Sequence, residues 1–565
     1  VRRNEPPERA ALRVAESSGS GRGLSFGAAV ARARRWLPLI GGSSVLGTLS
    51  MLALPLVLAE TVDAAVAGRG VAAPMAAAAG LVIVSAACEL VDAFAGAACT
   101  AATTAWLRRG MVRHVLALDP HRLRRFDTGD LTARVSANCA DAARAGPAAV
   151  GAATGLLPSI GSLAMLAYLD WWLAAAFIAG LALVAVVLRV FTSRTTAAVA
   201  AYQRIQGAIA ARLSEALAGR RTIAAAGTVE RERHRVLAEL PRLREHGVET
   251  WRVLAATGAQ SALVGPLTTV GVLLAAGLAL SSGRLSPGEM LASAQYAMSG
   301  AGIGALTGVF ATLARSRAGV RRLSEVTGVP VAEYGELDLP DGDGRLEFRA
   351  VSVEGPLDGV DLILPGGTVA AVVGASGAGK SVLAELAAGL RAPDAGEVLL
   401  DGVPLRRLRR EALRRAVAWA PERPVLVGAT VADAIAPGRS PRPAARAADA
   451  HDFIRRLPRG YGTPLDQAPM SGGEAQRIGL ARAWHAERLL VLDDATSSLD
   501  TVTERRIVDA LTAPEAARTR LLVTHRAATA ARAELVVWLE AGRVRAVGPH
   551  ERLWAESPAY REVFA

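Results

Sequence analysis

Lysine is all but missing from this chain. Of its 64 basic residues one is lysine, Lys380, and the other 63 are arginine. Cysteine is nearly as scarce. Cys88, Cys99 and Cys139 are too few, and odd in number, for a disulfide framework, and no Cys/His group has metal-ligand spacing. Cys88 and Cys99 lie in an apolar stretch and read as small, inert hydrophobes. Aromatic residues make up only 4% of the chain, so no platform for stacked bases is visible and the net charge of +12 does not point to nucleic acid. Residues 1–25 are polar and charged, which argues against a cleaved signal and predicts a poorly ordered tail; the first long apolar run starts at Trp36.

What the chain has is length and unevenly placed apolar content. Its 565 residues allow about three or four domains of ordinary size. Six stretches, at about 37–59, 75–106, 148–168, 171–188, 255–280 and 290–314, are long enough to cross a bilayer, which takes roughly 20 apolar residues. The links after the first, third and fifth are short. The second-to-third connection instead carries Arg108, Arg109, Arg113, Arg122, Arg124 and Arg125, the region from about 190 to 250 is also rich in arginine, and Arg32, Arg34 and Arg35 precede the first span. The positive-inside rule then puts both termini and both long connections in the cytosol, with the arginines meeting anionic lipid headgroups. A buried core of a soluble protein has no reason to show that charge asymmetry. The long connections have a helical pattern, so spans two to five are expected to continue as cytosolic rods. Glu89 and Asp92, the only charges inside the second span, share a helix face. They suit a cationic substrate or a proton, or line a water-filled vestibule.

The lone lysine stands in Gly374-Ala375-Ser376-Gly377-Ala378-Gly379-Lys380-Ser381, a full match to G-x-x-x-x-G-K-[ST]. Backbone N–H groups of such a loop cradle phosphates, the lysine reaches the terminal phosphates, and the serine hydroxyl binds Mg²⁺. The broad planar fork of arginine does not fit that slot. Apolar Val369–Val373 supplies a strand before the loop and Val382–Leu390 a helix after it, with Val382 also counted in the nucleotide site. Further on, Leu489–Leu492 is an apolar strand ending in Asp493 and Asp494, expected beside the P-loop strand, with Asp493 holding Mg²⁺. Ser471, Gly472, Gly473 and Glu474 open a helix whose N-terminus suits a phosphate. Thr524-His525 follows another apolar strand.

These motifs resemble an ATP-binding cassette exporter of the kind with six spans fused ahead of one nucleotide-binding domain. Met470–Glu474 with Gln476-Arg477 is similar to the family signature, Ser497–Asp500 to its D-loop, and His525 to its switch histidine. Leu457–Thr463 resembles the stretch before the signature, while Phe126–Leu131 with Arg134, and Leu213–Gly219 with Ile223 and Gly227, resemble the two intracellular loops. The resemblance implies a membrane α-helical bundle of six transmembrane helices with cytosolic extensions, followed by an α/β P-loop ATPase domain with a helical subdomain. The expected divisions are a tail over 1–25, a transmembrane domain over 26–325, a linker over 326–344 and the ATPase domain over 345–565. It also implies ATP and Mg²⁺ as cofactors and a second half-transporter as partner. Two ATPs would lie head to tail, each on one chain's P-loop and closed by the other's signature, Asp500 included. A bacterial plasma membrane is the expected location. The arginine- and alanine-rich, lysine-poor composition is of the kind found in GC-rich genomes such as those of actinobacteria.

Four departures from the family pattern stand out. Its catalytic Glu is here Asp494, one methylene shorter, which draws the oxygen back by roughly 1–1.5 Å. Its Q-loop glutamine is Glu422, an added anion that is also a candidate metal ligand. No aromatic stands near Gly355, where one would stack on adenine. The stretch from Thr463 to Met470 is short and lacks the usual acidic-Arg-Gly run, with Asp466 the nearest stand-in. The first three fall on the site built on this chain's own P-loop, whereas the signature is close to normal. The pattern resembles one half of a heterodimer, with Asp494, His525 and Glu422 as catalytic candidates of a slow site. The alternatives are a slow homodimeric exporter and a non-transporting regulatory membrane subunit. An importer is disfavoured, because importers keep membrane and ATPase parts on separate chains. No peptidase domain precedes the first span, so leader trimming is not expected. Drugs, peptides, secondary metabolites, lipids and siderophores all stay open as cargo.

Overall fold

The computed structural model describes residues 24–300, 304–513 and 518–564. Most of the expected N-terminal tail, residues 1–23, lies outside them. The described chain forms two compact units. One holds the chain up to Leu116 together with Asp127–Val329; the other holds Ala117–Phe126 together with the chain from Pro330 onward.

The first unit is helical throughout its apolar stretches, because a backbone in hydrocarbon must satisfy its polar groups internally. Its long helices are α1 (Leu37–Val66), α2 (Ala72–Ala117), α3 (Ala145–Thr154), α4 (Leu157–Leu169), α5 (Trp171–Ala218), α6 (Leu240–Ser281), α7 (Pro287–Gly300) and α8 (Gly304–Thr327). The third expected span is two helices, not one. The break falls at Gly155-Leu156, just before Pro158, which has no N–H to continue the ladder. Residues 301–303 of the expected sixth span lie outside the described residues. Three stretches, Leu37–Val66, Ala72–Ala117 and Thr128–Leu169, are long and apolar enough to cross a membrane. The fourth and fifth expected spans hold the shorter apolar helical segments Trp171–Leu183 and Gly265–Ser281. Helices α2, α5 and α6 run for 46, 48 and 42 residues, well past the apolar windows.

Polar contacts fasten the ends of these helices. Asp170 accepts from Trp172 N and pairs with Arg284 at 2.9 Å. Asp63 accepts from Ser286 Oγ and Gly288 N, which fixes the start of α7 against α1. Arg134 is buried and paired with Asp130 at 2.7 Å and Glu325 at 2.8 Å. Asp92 accepts from Ser43 Oγ at 2.9 Å, while Glu89 is exposed on α2. A cavity of about 510 Å³ opens between α2, α3 and α8, with Arg144, Thr100 and Thr312 as its polar lining.

The second unit contains two sheets among its described residues. A four-stranded antiparallel sheet has the order β2-β1-β4-β5, from Leu357–Leu364, Leu346–Val353, Ala395–Leu400 and Val403–Pro404. A six-stranded sheet has the order β10-β9-β3-β8-β7-β6, from Arg543–Gly548, Leu535–Glu540, Val369–Val373, Thr519–Val523, Leu489–Asp493 and Val417–Ala420. All its pairings are parallel except β9 with β10. The all-apolar run of β3 follows from burial on both faces. Val369, Ala371 and Val373 join a core shared with the helical residues Val431, Ala434, Ile454 and Ile478, and Ala370 and Val372 join the core under the antiparallel sheet.

One expectation is corrected here. The strand ending in Asp493 does not lie beside the P-loop strand, because β8 runs between β3 and β7. The crossover into β8 inserts that strand at the centre of the sheet. Asp493 still reaches the end of the P-loop, where its Oδ1 accepts from Ser381 Oγ.

Candidate functional site

The P-loop connects β3 to the helix α9 (Lys380–Ala387). Close backbone approach explains two of its glycines. A Cβ at Gly374 would stand 2.3 Å from Leu539 O, and one at Gly379, where φ is +98°, would stand 2.6 Å from Pro356 O. The second contact also places the turn around Gly355 against the loop. That turn joins β1 to β2 and holds no aromatic side chain, with Gly355 at φ +95°.

Lys380 Nζ donates to Gly374 O at 2.8 Å and to Ala375 O at 2.9 Å, so the amine lies over the loop. Burial lowers its pKa, and the nearby Asp494 and Asp493 pull the other way. Ser381 Oγ donates to Asp493 Oδ1 at 3.1 Å. Burial pushes the Asp493 carboxyl above the usual carboxylate range; the Ser381 hydrogen bond opposes this, and Asp494, Glu385 and Glu422 add to it. A hydroxyl and a carboxylate held together amid further negative charge form the hard-oxygen set that Mg²⁺ takes. Ser381 and Asp493 therefore fit that ion.

Asp494 lies at the end of β7 with φ +48°, a left-handed conformation uncommon outside glycine. Its Oδ1 is 3.1 Å from His525 Nδ1, so two of the three catalytic candidates stand together. Glu422 is the further candidate metal ligand. Its carboxylate is half exposed and 3.7 Å from Arg423 Nε, and its backbone oxygen accepts from Gln476. It contributes charge to Asp493 without a described bond to Ser381 or Asp493.

Ser471 caps the helix α10 (Gly472–Ala483) in a capping box with Glu474. The Ser471 N–H and hydroxyl both donate to Glu474 Oε2, at 2.8 and 2.9 Å, and these bonds hold the Glu474 carboxyl below its ordinary range. Among the described residues none of Ser471–Glu474 bonds to the P-loop. Asp500 caps the helix α11 (Thr501–Thr512) by accepting from Thr503 N and Val502 N, which lowers its pKa.

Sequence reasoning missed the residue that ties these pieces together. Gln476 is buried and donates to Glu422 O, Asp494 O and Ser497 Oγ, while its Oε1 accepts from Ser498 N. Its place in the signature run was the available signal. Arg526 forms a second tie, pairing with Glu504 and donating to Ser497 O. Glu385, one helical turn beyond Ser381 on α9, was also missed, although the i, i+4 spacing puts both on one face.

Comparison with known proteins gives consistent matches. The profile for the ABC transporter transmembrane region matches residues 37–301, and the ABC transporter profile matches residues 357–497. The chain is 48% identical over 478 residues to the ABC transporter ATP-binding protein RamA of Streptomyces coelicolor, covering 82% of this chain and 75% of that protein. It is 33% identical to an ATP-dependent lipid A-core flippase of Chromobacterium violaceum, over 72% of each chain. In fold it is similar to a bacterial Atm1-family ABC exporter solved with ATP bound, with a TM-score of 0.77 and 24% identity, covering 94% of this chain and 98% of that one.

Proposed function

This chain belongs to the ABC transporter family, as an exporter half-transporter with its membrane region and ATP-binding domain fused, in which ATP hydrolysis is coupled to transport; from that premise we propose that it is the slow-site half of a heterodimer in a bacterial plasma membrane. The observation that carries this reading is the composition of the site around its own P-loop. The carboxylate bonded to His525 belongs to an aspartate, Asp494, and the turn beside Gly379 presents Gly355 where an aromatic would stack. ATP binds on Gly374, Ser376, Gly377, Gly379, Lys380, Ser381 and Val382, with Ser381 and Asp493 holding Mg²⁺. The ion would neutralise charge on the phosphates. Hydrolysis there is slow, since a general base displaced by about 1 Å costs on the order of 10²-fold. The signature, with Ser471–Glu474 free of its own P-loop, closes the site of a different chain. Both termini and both long arginine-rich connections face the cytosol.

ATP turnover by this chain alone in lipid, beside turnover with a second half-transporter chain that carries Glu after its Walker B aspartate, tests the reading. Near-inactivity alone and brisk turnover of the pair are expected. Brisk turnover alone makes the homodimeric exporter the better account. Within the pair, Asp494→Glu is expected to raise turnover by no more than about threefold. A gain on the order of 100-fold would mean that the short carboxylate alone limits the site, and that Glu422 and the bare turn do not matter.

The cargo that suits the membrane unit is an amphiphile with an acidic group, entering at the level of the inner leaflet. The cavity between α2, α3 and α8 is lined by small residues, and Arg144 is its one charged lining residue among those described. Arg315 adds a second guanidinium through its bond to Thr312 Oγ1. Dodecyl phosphate is expected to bind the detergent-purified chain, and Arg144→Ala to weaken that binding about tenfold. Equal or tighter binding of dodecyltrimethylammonium would turn attention back to Glu89 and Asp92.

A further inference from the structure

Helix α11 buries Glu504, Ile507, Val508 and Leu511, the i, i+3, i+4, i+7 stripe of an amphipathic helix with a carboxylate at its head. Glutamate is almost never buried unless it is paired. The Glu504 side chain is 10% exposed, and its partners come from two other segments. Its Oε2 pairs with Arg526, while its Oε1 accepts from Thr496 Oγ1 at 3.2 Å and lies 3.5 Å from Thr529 Oγ1.

Those two segments carry the catalytic candidates. Thr496 stands two residues beyond Asp494 in the loop that leaves β7, and Arg526 follows His525 in the loop that leaves β8. Arg526 also crosses between the loops: its Nη2 donates to Ser497 O at 3.2 Å, and its backbone N–H donates to Thr524 Oγ1 at 3.1 Å. Strands β7 and β8 are paired neighbours, so their ladder fixes the strands but not the loops past their ends. Beyond the bond from Asp494 N to Val523 O, side chains hold the two loops together. Asp494 is left-handed at φ +48°, a conformation that persists only where the surroundings hold it.

The geometry points to Glu504 as a positioning residue for the pair formed by Asp494 and His525: by bonding Thr496 and Arg526 at once, it keeps the loop after β7 and the loop after β8 at the spacing that sets the imidazole against the carboxylate. Glu504 acts through those two residues, and among the described residues it makes no bond to Lys380, Ser381 or Asp493. The inference concerns loops of this chain alone and holds whether its partner is a different half-transporter or a second copy.

The test uses the full chain in lipid bilayers with isotope-labelled histidine rings and aspartate side-chain carboxyls. Solid-state NMR then reads the through-space coupling between the two labels. His525 with Asp494 is the one His–Asp side-chain contact among the described residues, and loss of the signal in His525→Gln assigns it. In the parent protein the coupling is present. Glu504→Gln keeps the shape and an acceptor for Thr496 but leaves Arg526 without its counter-charge. It is expected to weaken the coupling and to slow phosphate release about tenfold, with ATP affinity unchanged. Glu504→Leu combined with Arg526→Leu removes both charges, and apolar replacement of a buried pair costs little stability. That variant is expected to melt within a few degrees of the parent and still to lack the coupling. A role confined to stability predicts that the coupling returns together with the melting temperature, and that result overturns the proposal. Coupling of parental strength in Glu504→Gln overturns it as well, and this variant decides by itself if the double variant does not fold.

Discussion

Exchange of Lys380 for alanine is expected to weaken nucleotide binding at this P-loop by about 100-fold, measured by titrating a fluorescent ATP analogue onto the full chain in nanodiscs. The side chain contributes charge-assisted hydrogen bonds, each worth about 1.5–3 kcal/mol, and one or two of them account for a loss of that size. The ammonium lies over the loop on Gly374 O and Ala375 O, within reach of a phosphate seated on the same loop. The stronger test is Lys380→Arg. The chain uses arginine at every other basic position, so this exchange follows its own compositional habit. It is still expected to fail, because a planar fork cannot sit where a compact ammonium does. Normal ATP affinity in Lys380→Arg would show that the slot is wider than the loop geometry implies.

The second large effect lies on the opposite motif. Ser471→Asp is expected to leave the melting temperature of the chain within a few degrees of the parent and to cut ATP turnover of the assembled pair about 100-fold. Aspartate is as good an N-cap as serine, so α10 keeps its start. What changes is charge. Ser471 already shares its hydrogen bonds with the Glu474 carboxylate, and an acid at 471 would set two carboxylates at one helix N-terminus. A phosphate brought there by another chain would meet anions instead of a donor, and loss of one such donor costs on the order of 10²–10³-fold. Binding of the ATP analogue to this chain's own P-loop serves as the internal comparison. Turnover that survives Ser471→Asp would mean that no phosphate meets this helix.

The parts of the architecture that were legible in the sequence share a physical basis. Apolar length marks helices α1 and α2, since lipid imposes a minimum span. The P-loop is legible because its glycines answer to backbone contacts that no other residue permits, as at Gly374 and Gly379. The strand β3 is legible from an apolar run buried on both faces. Strand order is a different matter. Nothing in the run Thr519–Val523 tells that it will slide between β3 and β7, because that position is decided by a crossover and not by local pattern. The Gly155 break was written in the chain as Pro158 but outweighed by the apolar content around it. Gln476 looked like one more letter of a motif, and its four bonds show only when β7, Glu422 and the D-loop have been folded onto it. An ion pair between Arg124 and Glu385 joins residues 261 positions apart, a distance at which no periodicity carries information.

The single lysine has a consequence for covalent chemistry. A reagent that acylates amines has one side-chain target in this protein, and that target lies on the phosphate loop. Burial lowers the basicity of Lys380, and Asp494 and Asp493 pull the other way. One acyl group therefore silences one nucleotide site without marking any other side chain. The side-chain mass increment gained with and without ATP, read on the peptide that carries Lys380, counts occupied sites directly. A cell that acetylates lysines has, in this protein, a single off-position and nowhere else to write.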